Sequence, residues 1–384
     1  MASGVKLPGG IELAAFYFPN YHPDPLTGRV HGDGWTEWEV LKAARSRFPG
    51  HRQPKVPLWG YEDESNPEVM SRKIDLAVNS GIGVFLFDGY YYEDRFFLES
   101  ALRNGFLQSP VRSRMKYALM WANHTWHDVH PARLRENFVP LHSGDVTPAQ
   151  FDRICGTLID EHFQNDEYWR VDGRPFFSIY DIVRLIGNFD GTTQLREALD
   201  SFRERAVKAG LPGLHLNLTS RGENILPGEM QANSPDLVEA LGFDSVTSYV
   251  WLHHVPLKDF PTTGYREIRE RYLQIWDQAD REYKIPYYPS IMTAWDSSPR
   301  TVQSDCFVNA PYPFGPVMEN TPELFAETLR LFRKKILGRP ENRRIFTINA
   351  WNEWTEGAYL EPDAENGYAM TDRIREVFME AAEQ

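Results

Sequence analysis

The stretch "RIFTINAWNEWTEGAYLEP", residues 344–362, opens as one kind of segment and closes as another. Its apolar run, "RIFTI", is the kind that a strand covered on both faces shows. Glu353, Glu356 and Glu361 follow directly, wrapped around Trp351 and Trp354. Solvated loops have little use for tryptophan, and cores have little use for glutamate. A buried strand that delivers carboxylates and indoles at its carboxyl end is what an α/β barrel provides, because working groups collect at that end.

The same kind of run recurs along the chain: "ELAAFYF" (12–18), "GVFLFD" (83–88), "YALMWA" (117–122), "FFSIYD" (176–181), "LHLNLT" (214–219), "DSVTSYV" (244–250), "YYPSIM" (287–292) and "IFTINAW" (345–351). Helical patterns lie between most of them. Asn66-Pro67, Thr147-Pro148 and Thr321-Pro322 each set a capping oxygen before a first-turn proline. Gly81, Gly210 and Gly338 stand where helices should stop. In "TPELFAETLRLFRKKILG" the positions Leu324, Phe325, Leu329, Phe332 and Ile336 form one stripe, with Lys and Arg in the last turns. Eight strands alternating with helices predict a single (β/α)₈ TIM barrel over residues 1–384, and no linker or repeat divides the chain. Segments 19–60 and 294–320 are rich in Pro, Trp and His. They are expected to be long loops at the C-terminal face, after strands one and seven.

Composition narrows the partners. A formal net charge of −13 speaks against nucleic acid and anionic membrane, which basic patches hold. No stretch is long and apolar enough to cross a bilayer. The opening "MASGVKLPGG" has no apolar signal core, so as written the chain is expected in the cytoplasm. Cys155 and Cys306 lie far apart and outside any metal-ligand spacing, and Cys155 falls within an amphipathic helix pattern. His124, His127 and His130 match no standard ligand set, so no metal and no cofactor are expected. Asn123 and Asn217 begin glycosylation-type triplets whose places at strand ends make them incidental.

Aromatic residues make up 14% of the chain, much of it beside Gly, Pro, Asn and His, which suggests a lined cleft. The carboxyl ends of the predicted strands supply its candidates. Strand one gives Tyr17 and His22, strand two Asp88, strand three Trp121 and Asn123, and strand four Tyr180. Strand six gives Tyr249 and Trp251, strand seven Trp295, and strand eight Asn352, Glu353, Trp354 and Glu356. Carboxylates, amides and aromatic faces around one mouth suit a sugar, whose C–H faces stack on rings while its hydroxyls need fixed donors and acceptors. Two carboxyls can supply a general acid and a base for cleaving a glycosidic bond.

Glu353 and Glu356 are three residues apart, so on a turn both can face one side. The usual arrangement flanks the anomeric carbon with carboxyls about 5–5.5 Å apart for retention, or roughly 6.5–9.5 Å for inversion. A neighbouring pair suits another division: one carboxyl protonates the leaving oxygen, and the other takes a proton from the sugar's own 2-hydroxyl, which then attacks the anomeric carbon. The bland alternative is that one glutamate caps a helix while the other faces solvent.

The segment "NAWNEWTEGAYLEPD" resembles the signature of the WbsX-like proteins, which are related to glycoside hydrolase family 99. "AFYFPNYHPDP" (15–25), "GWTEW" (34–38), "GHRQPKVPL" (50–58), "MWANHTW" (120–126) and "YWRVDGRPFFSIY" (168–180) agree with it, so the resemblance covers nearly the whole chain. It implies a (β/α)₈ enzyme that cleaves α-mannosidic linkages in endo fashion with retention, through a 1,2-anhydro sugar. It also implies that Glu353 is the base on the 2-hydroxyl and Glu356 the acid. The chain departs from its relatives at Asp88, where a histidine is usual, and at His124, where a glutamate is frequent. Mannose is therefore not carried over as the substrate.

Three readings follow. The first is a retaining glycoside hydrolase acting on an α-linked oligosaccharide or polysaccharide. The second is a glycosyltransferase of polysaccharide assembly, as WbsX-like proteins are often labelled; the chain has neither an Asp-x-Asp motif nor a Gly-rich phosphate loop for a nucleotide sugar. The third is a carbohydrate-binding barrel without catalysis.

Overall fold

The computed structural model describes residues 6–136, 138–222 and 234–380. The eight apolar runs form the staves of a parallel barrel: Glu12–Tyr17, Val84–Tyr92, Lys116–Trp121, Arg174–Ile179, His215–Ser220, Ser245–Ser248, a seventh in two pieces, Tyr287–Tyr288 and Ser290–Met292, and Ile345–Asn349. The seventh is broken at Pro289, which has no N–H to give to a ladder. Its first piece pairs with strand six, Val246 opposite Tyr287, and its second with strand eight, Ile291 opposite Ile348. Strand eight also pairs with strand one, Ala15 opposite Ile348, and the ring closes. This is the expected TIM-barrel fold. Strands two, five, six and eight are buried along their entire length, which is why they read as continuous apolar runs rather than alternating ones.

The helix signals act as the sequence suggests. Asn66 accepts from the Glu68 N–H at 2.9 Å, Thr147 from that of Gln150 at 3.2 Å, and Thr321 from that of Leu324 at 3.3 Å. Each orphan donor so paired anchors its first turn, in Pro67–Asn79, Pro148–Thr157 and Pro322–Leu337. Gly81 requires glycine twice over: its φ is +98°, and a Cβ there would stand 2.7 Å from Leu7. Gly338 ends its helix at φ −70°, without a left-handed turn. Phe325, Leu329, Phe332 and Ile336 are buried as one face, and Leu324 packs beside them. Among the described residues no helix is long and apolar enough to cross a membrane. Cys155 is buried and Cys306 exposed, and neither is in a disulfide.

The two long segments carry short elements of their own. Segment 19–60 holds helices Pro25–His31 and Trp38–Ala43, and segment 294–320 holds the turn Ser298–Arg300. They are tied together at the carboxyl face: Arg47 donates to Thr301 Oγ1 at 2.6 Å and to the Asp305 carbonyl at 2.7 Å.

Candidate active site

Strand eight delivers its carboxylates through a tight hairpin. Asn352–Glu353 pairs antiparallel with Ala358–Tyr359 around the turn Trp354–Glu356. Gly357 closes it at φ +67°, with a Cβ position 2.9 Å from the backbone nitrogen of Asp296, so only glycine fits. Both glutamates consequently face the cavity at the barrel mouth.

The indoles do something else. Trp351 and Trp354 donate to the two oxygens of Glu361 at 2.9 and 2.7 Å. Glu361 pairs with Lys73 at 2.6 Å, Lys73 with Glu64 at 2.6 Å, and Glu64 accepts from the Asn352 amide at 2.8 Å. Lys73 thus holds two buried carboxylates, and the cluster is the platform on which the hairpin stands. Replacing Lys73 by methionine leaves both carboxylates without their counter-ion and is expected to cost about 3–5 kcal/mol. Urea unfolding reads it directly; an unchanged midpoint would remove the platform role.

Above the platform lies a cavity of about 760 Å³, open mouth included. Its acidic wall is Asp88, Glu353 and Glu356, and its aromatic wall includes Tyr90, Trp126, Tyr180, Trp295 and Tyr312. Tyr249 donates to Glu353 Oε2 at 2.8 Å and lies 3.3 Å from Asp88 Oδ2. Arg300 binds between the glutamates: its Nη1 pairs with Glu356, and its Nη2 stands 3.5 Å from Glu353. The Tyr312 hydroxyl receives a bond from Arg300 at 2.5 Å and donates to Glu356 at 2.8 Å.

Burial pushes the Glu356 carboxyl well above the usual range, the charge of Glu353 adds to this, and Arg300 only partly opposes it. Burial and the Glu353 charge thus favour the protonated form of Glu356. Burial and Glu353 also push Asp88 well up, against the hydrogen bond from Tyr249. Glu37, fully buried behind Arg300, goes the other way: burial favours the neutral acid, but Arg300 and His130 outweigh it and hold the carboxyl far below its ordinary value.

Of the residues expected at the site, Asp88, Tyr180, Tyr249, Trp295, Glu353 and Glu356 come together there. Seven others stand elsewhere. Tyr17 packs on Phe85 and Phe87, with Lys73 beneath its ring. His22 sits 3.0 and 3.2 Å from the carbonyls of Pro23 and Leu98, bracing a loop. Trp121 points outward onto Phe151 of a surrounding helix. Asn123 exchanges two bonds with the Asp181 backbone, at 2.8 and 2.7 Å. Trp251 donates to the Ser290 carbonyl at 2.7 Å. Asn352 exchanges two bonds with the Phe18 backbone, and Trp354 stacks on Tyr359 at 3.8 Å. The polar groups of His22, Asn123, Trp251, Asn352 and Trp354 are already engaged within the protein, and Tyr17 and Trp121 are held by their ring packing. Asn217 is likewise buried, bonded to Ser178 and Ser245 at 2.8 Å each.

The sequence reading missed Arg300 and Tyr312. Both come from the segment 294–320, whose only signal was its place at the carboxyl face. Glu37 was quoted in "GWTEW" without a part to play. Among the described residues no group of three or more His, Cys, Asp and Glu is placed to hold a metal ion.

An acidic, ring-walled pocket at the carboxyl end of a closed parallel barrel places the chain among (β/α)₈ barrels with the fold of glycoside hydrolases. A solved structure described as a glycoside hydrolase-like protein is similar with a TM-score of 0.61 at 16% identity, over 96% of this chain and 94% of its own. The GH99 endo-alpha-mannosidase from Bacteroides thetaiotaomicron is similar with a TM-score of 0.53 at 13% identity, over 97% and 99%. At such identities the likeness is one of fold. The family described as Glycosyltransferase WbsX matches residues 13–374, and the chain belongs to it. The uncharacterized protein WxcX of Xanthomonas campestris pv. campestris, in strain B100 and a second strain, is 26% identical over 383 aligned residues. That alignment takes in 96% of this chain and 50% of WxcX, so the chain spans about half the length of the curated relatives it matches.

Proposed function

We propose that this pocket cleaves a glycosidic bond in an α-linked glycan, with retention, using Glu356 as general acid and Glu353 as base. The observation that carries the reading is the unequal pair: two carboxyls on one wall, both reached by Arg300, of which Glu356 is pushed well above the usual carboxylate range by burial and by Glu353. A pair on one wall suits a route in which the attacking oxygen comes from the sugar itself. Glu356 gives its proton to the leaving oxygen as the C1–O bond breaks. Glu353 takes the proton of the 2-hydroxyl, whose oxygen closes on C1 as a 1,2-anhydro ring. Water then opens that ring at C1, passing a proton to Glu356, while Glu353 returns one to O2. Two inversions give net retention. The ring-lined wall supplies stacking surface for the sugar faces.

The family's description favours a second reading, sugar transfer from an activated donor. One experiment separates the two. Digestion of a glycan panel that includes α-mannosides, with NMR of the first product, is expected to show a reducing sugar of retained configuration. Thermal stabilisation by a nucleotide sugar, with no glycan cleaved, would establish transfer instead.

A further inference from the structure

The reading above leaves Glu37 without a task, although it is the most enclosed charge near the pocket. It comes from the short helical segment of loop 19–60 rather than from a barrel strand. Arg300 donates to its Oε1 from Nε at 3.0 Å and approaches it with Nη2 at 2.9 Å. Thr355, between the two catalytic candidates in sequence, donates to the same oxygen. Asn20 donates to Oε2 at 2.6 Å, and His130 stands 3.4 Å from it. No atom of Glu37 lines the cavity, so it acts through the pocket residues it meets, Arg300 above all.

Arg300 carries one positive charge and is approached by three carboxylates, Glu37, Glu353 and Glu356. Tyr312 and Thr355 also meet it, and Phe18 lies 5.4 Å from its guanidinium carbon. A guanidinium this close to Glu356, relieved of Glu37, would favour the Glu356 carboxylate more strongly and make its proton easier to lose. We infer that Glu37 is a positioning residue for the proposed reaction: bound to Arg300 outside the pocket, it shares the guanidinium that Glu353 and Glu356 also approach and so limits how far Arg300 favours the Glu356 carboxylate. The inference rests on Glu356 being the acid. It adds a buried, fixed charge outside the pocket, supplied by a loop, that bears on the pH range over which the acid works.

Two other sets of groups bear on the outcome. Glu356 is faced by Glu353, Arg300 and Tyr312, with Asp88 and Tyr249 close enough to feel its charge. Glu37 is faced by Arg300, His130 and the phenol of Tyr21, with His31 close enough to feel its charge. None of them besides Glu37 is a second anion behind Arg300, so no neighbour can replace it. Arg300 itself stays in place without Glu37, since Glu356, Glu353, Tyr312 and Thr355 still hold it.

The test is a direct titration of Glu356 by carbon-13 NMR of glutamate-labelled whole protein, with E356Q supplying the assignment. Glu37→Gln is expected to lower the Glu356 midpoint by about one pH unit or more, the size of effect one freed opposite charge exerts. Glu37→Asp keeps the charge but shortens its reach, and is expected to lower the midpoint by less. On a cleavable aryl glycoside the alkaline limb of kcat moves down by the same amount, with KM little changed. An unchanged or raised midpoint in folded E37Q overturns the inference. If E37Q does not fold, an unchanged midpoint in E37D does so. Failure of the hydrolase reading shows separately, as no cleavage of any glycan by the unmodified protein while the titration still shifts.

Discussion

Glutamine at position 356 is expected to lower kcat by about 10²–10⁴-fold on an aryl glycoside with a poor leaving group, the usual worth of a positioned general acid. On a dinitrophenyl glycoside, whose leaving group departs as a stable anion, the loss is expected to be small. The substitution preserves the shape of the wall: the amide oxygen still accepts from Arg300 and Tyr312, as Glu356 Oε1 does now. KM should therefore barely move, and the loss belongs to the chemical step. The pH profile gives a second readout. Burial and Glu353 hold the Glu356 proton well above the usual carboxylate range, so activity falls on the alkaline side as that proton leaves. In E356Q that limb disappears. Equal losses for good and poor leaving groups, or full activity on the poor one, would remove Glu356 from the role of acid.

The fold was readable because each stave is buried on both faces, and burial on both faces writes itself as an uninterrupted apolar run. Even the break in strand seven is visible, as Pro289 inside "YYPSIM". What could not be read is where a side chain at the rim turns. Tyr17 and Tyr249 both end barrel strands. Tyr17 turns to Phe85 and Phe87, and Tyr249 turns to Glu353. Side chains alternate along a strand, and a one-residue difference in where the strand ends decides between cavity and platform.

The tryptophans show the same limit in chemical terms. An indole beside a carboxylate suggests a sugar platform, and that is how Trp354 reads from sequence. In the structure the indole N–H groups of Trp351 and Trp354 satisfy buried Glu361, which needs donors more than a ligand needs stacking. Arg300 was illegible for a different reason. It comes from a loop with no periodicity, and its partners Glu37 and Glu356 lie 263 and 56 residues away in the chain. Only "GWTEW" hinted that loop 19–60 carried an acid worth noting.

Glutamine at position 353 is expected to cost about as much as at position 356, roughly 10²–10⁴-fold in kcat, but with a different signature. If Glu353 removes the proton of the 2-hydroxyl, no leaving group relieves its loss, so dinitrophenyl and phenyl glycosides suffer alike. The local geometry supports the assignment. Tyr249 donates to Glu353 Oε2 at 2.8 Å and Arg300 stands 3.5 Å from Oε1, which holds the carboxylate as an acceptor on the pocket wall. A substrate lacking the 2-hydroxyl removes the same interaction from the other side. The unmodified protein should turn over the 2-deoxy glycoside poorly, and E353Q should lose nothing further on it, because the two changes delete one step. A 2-deoxy glycoside cleaved as fast as its parent would abolish the anhydro-sugar route. E353Q that recovers with a better leaving group would make Glu353 the acid, and Glu356 would then need another role.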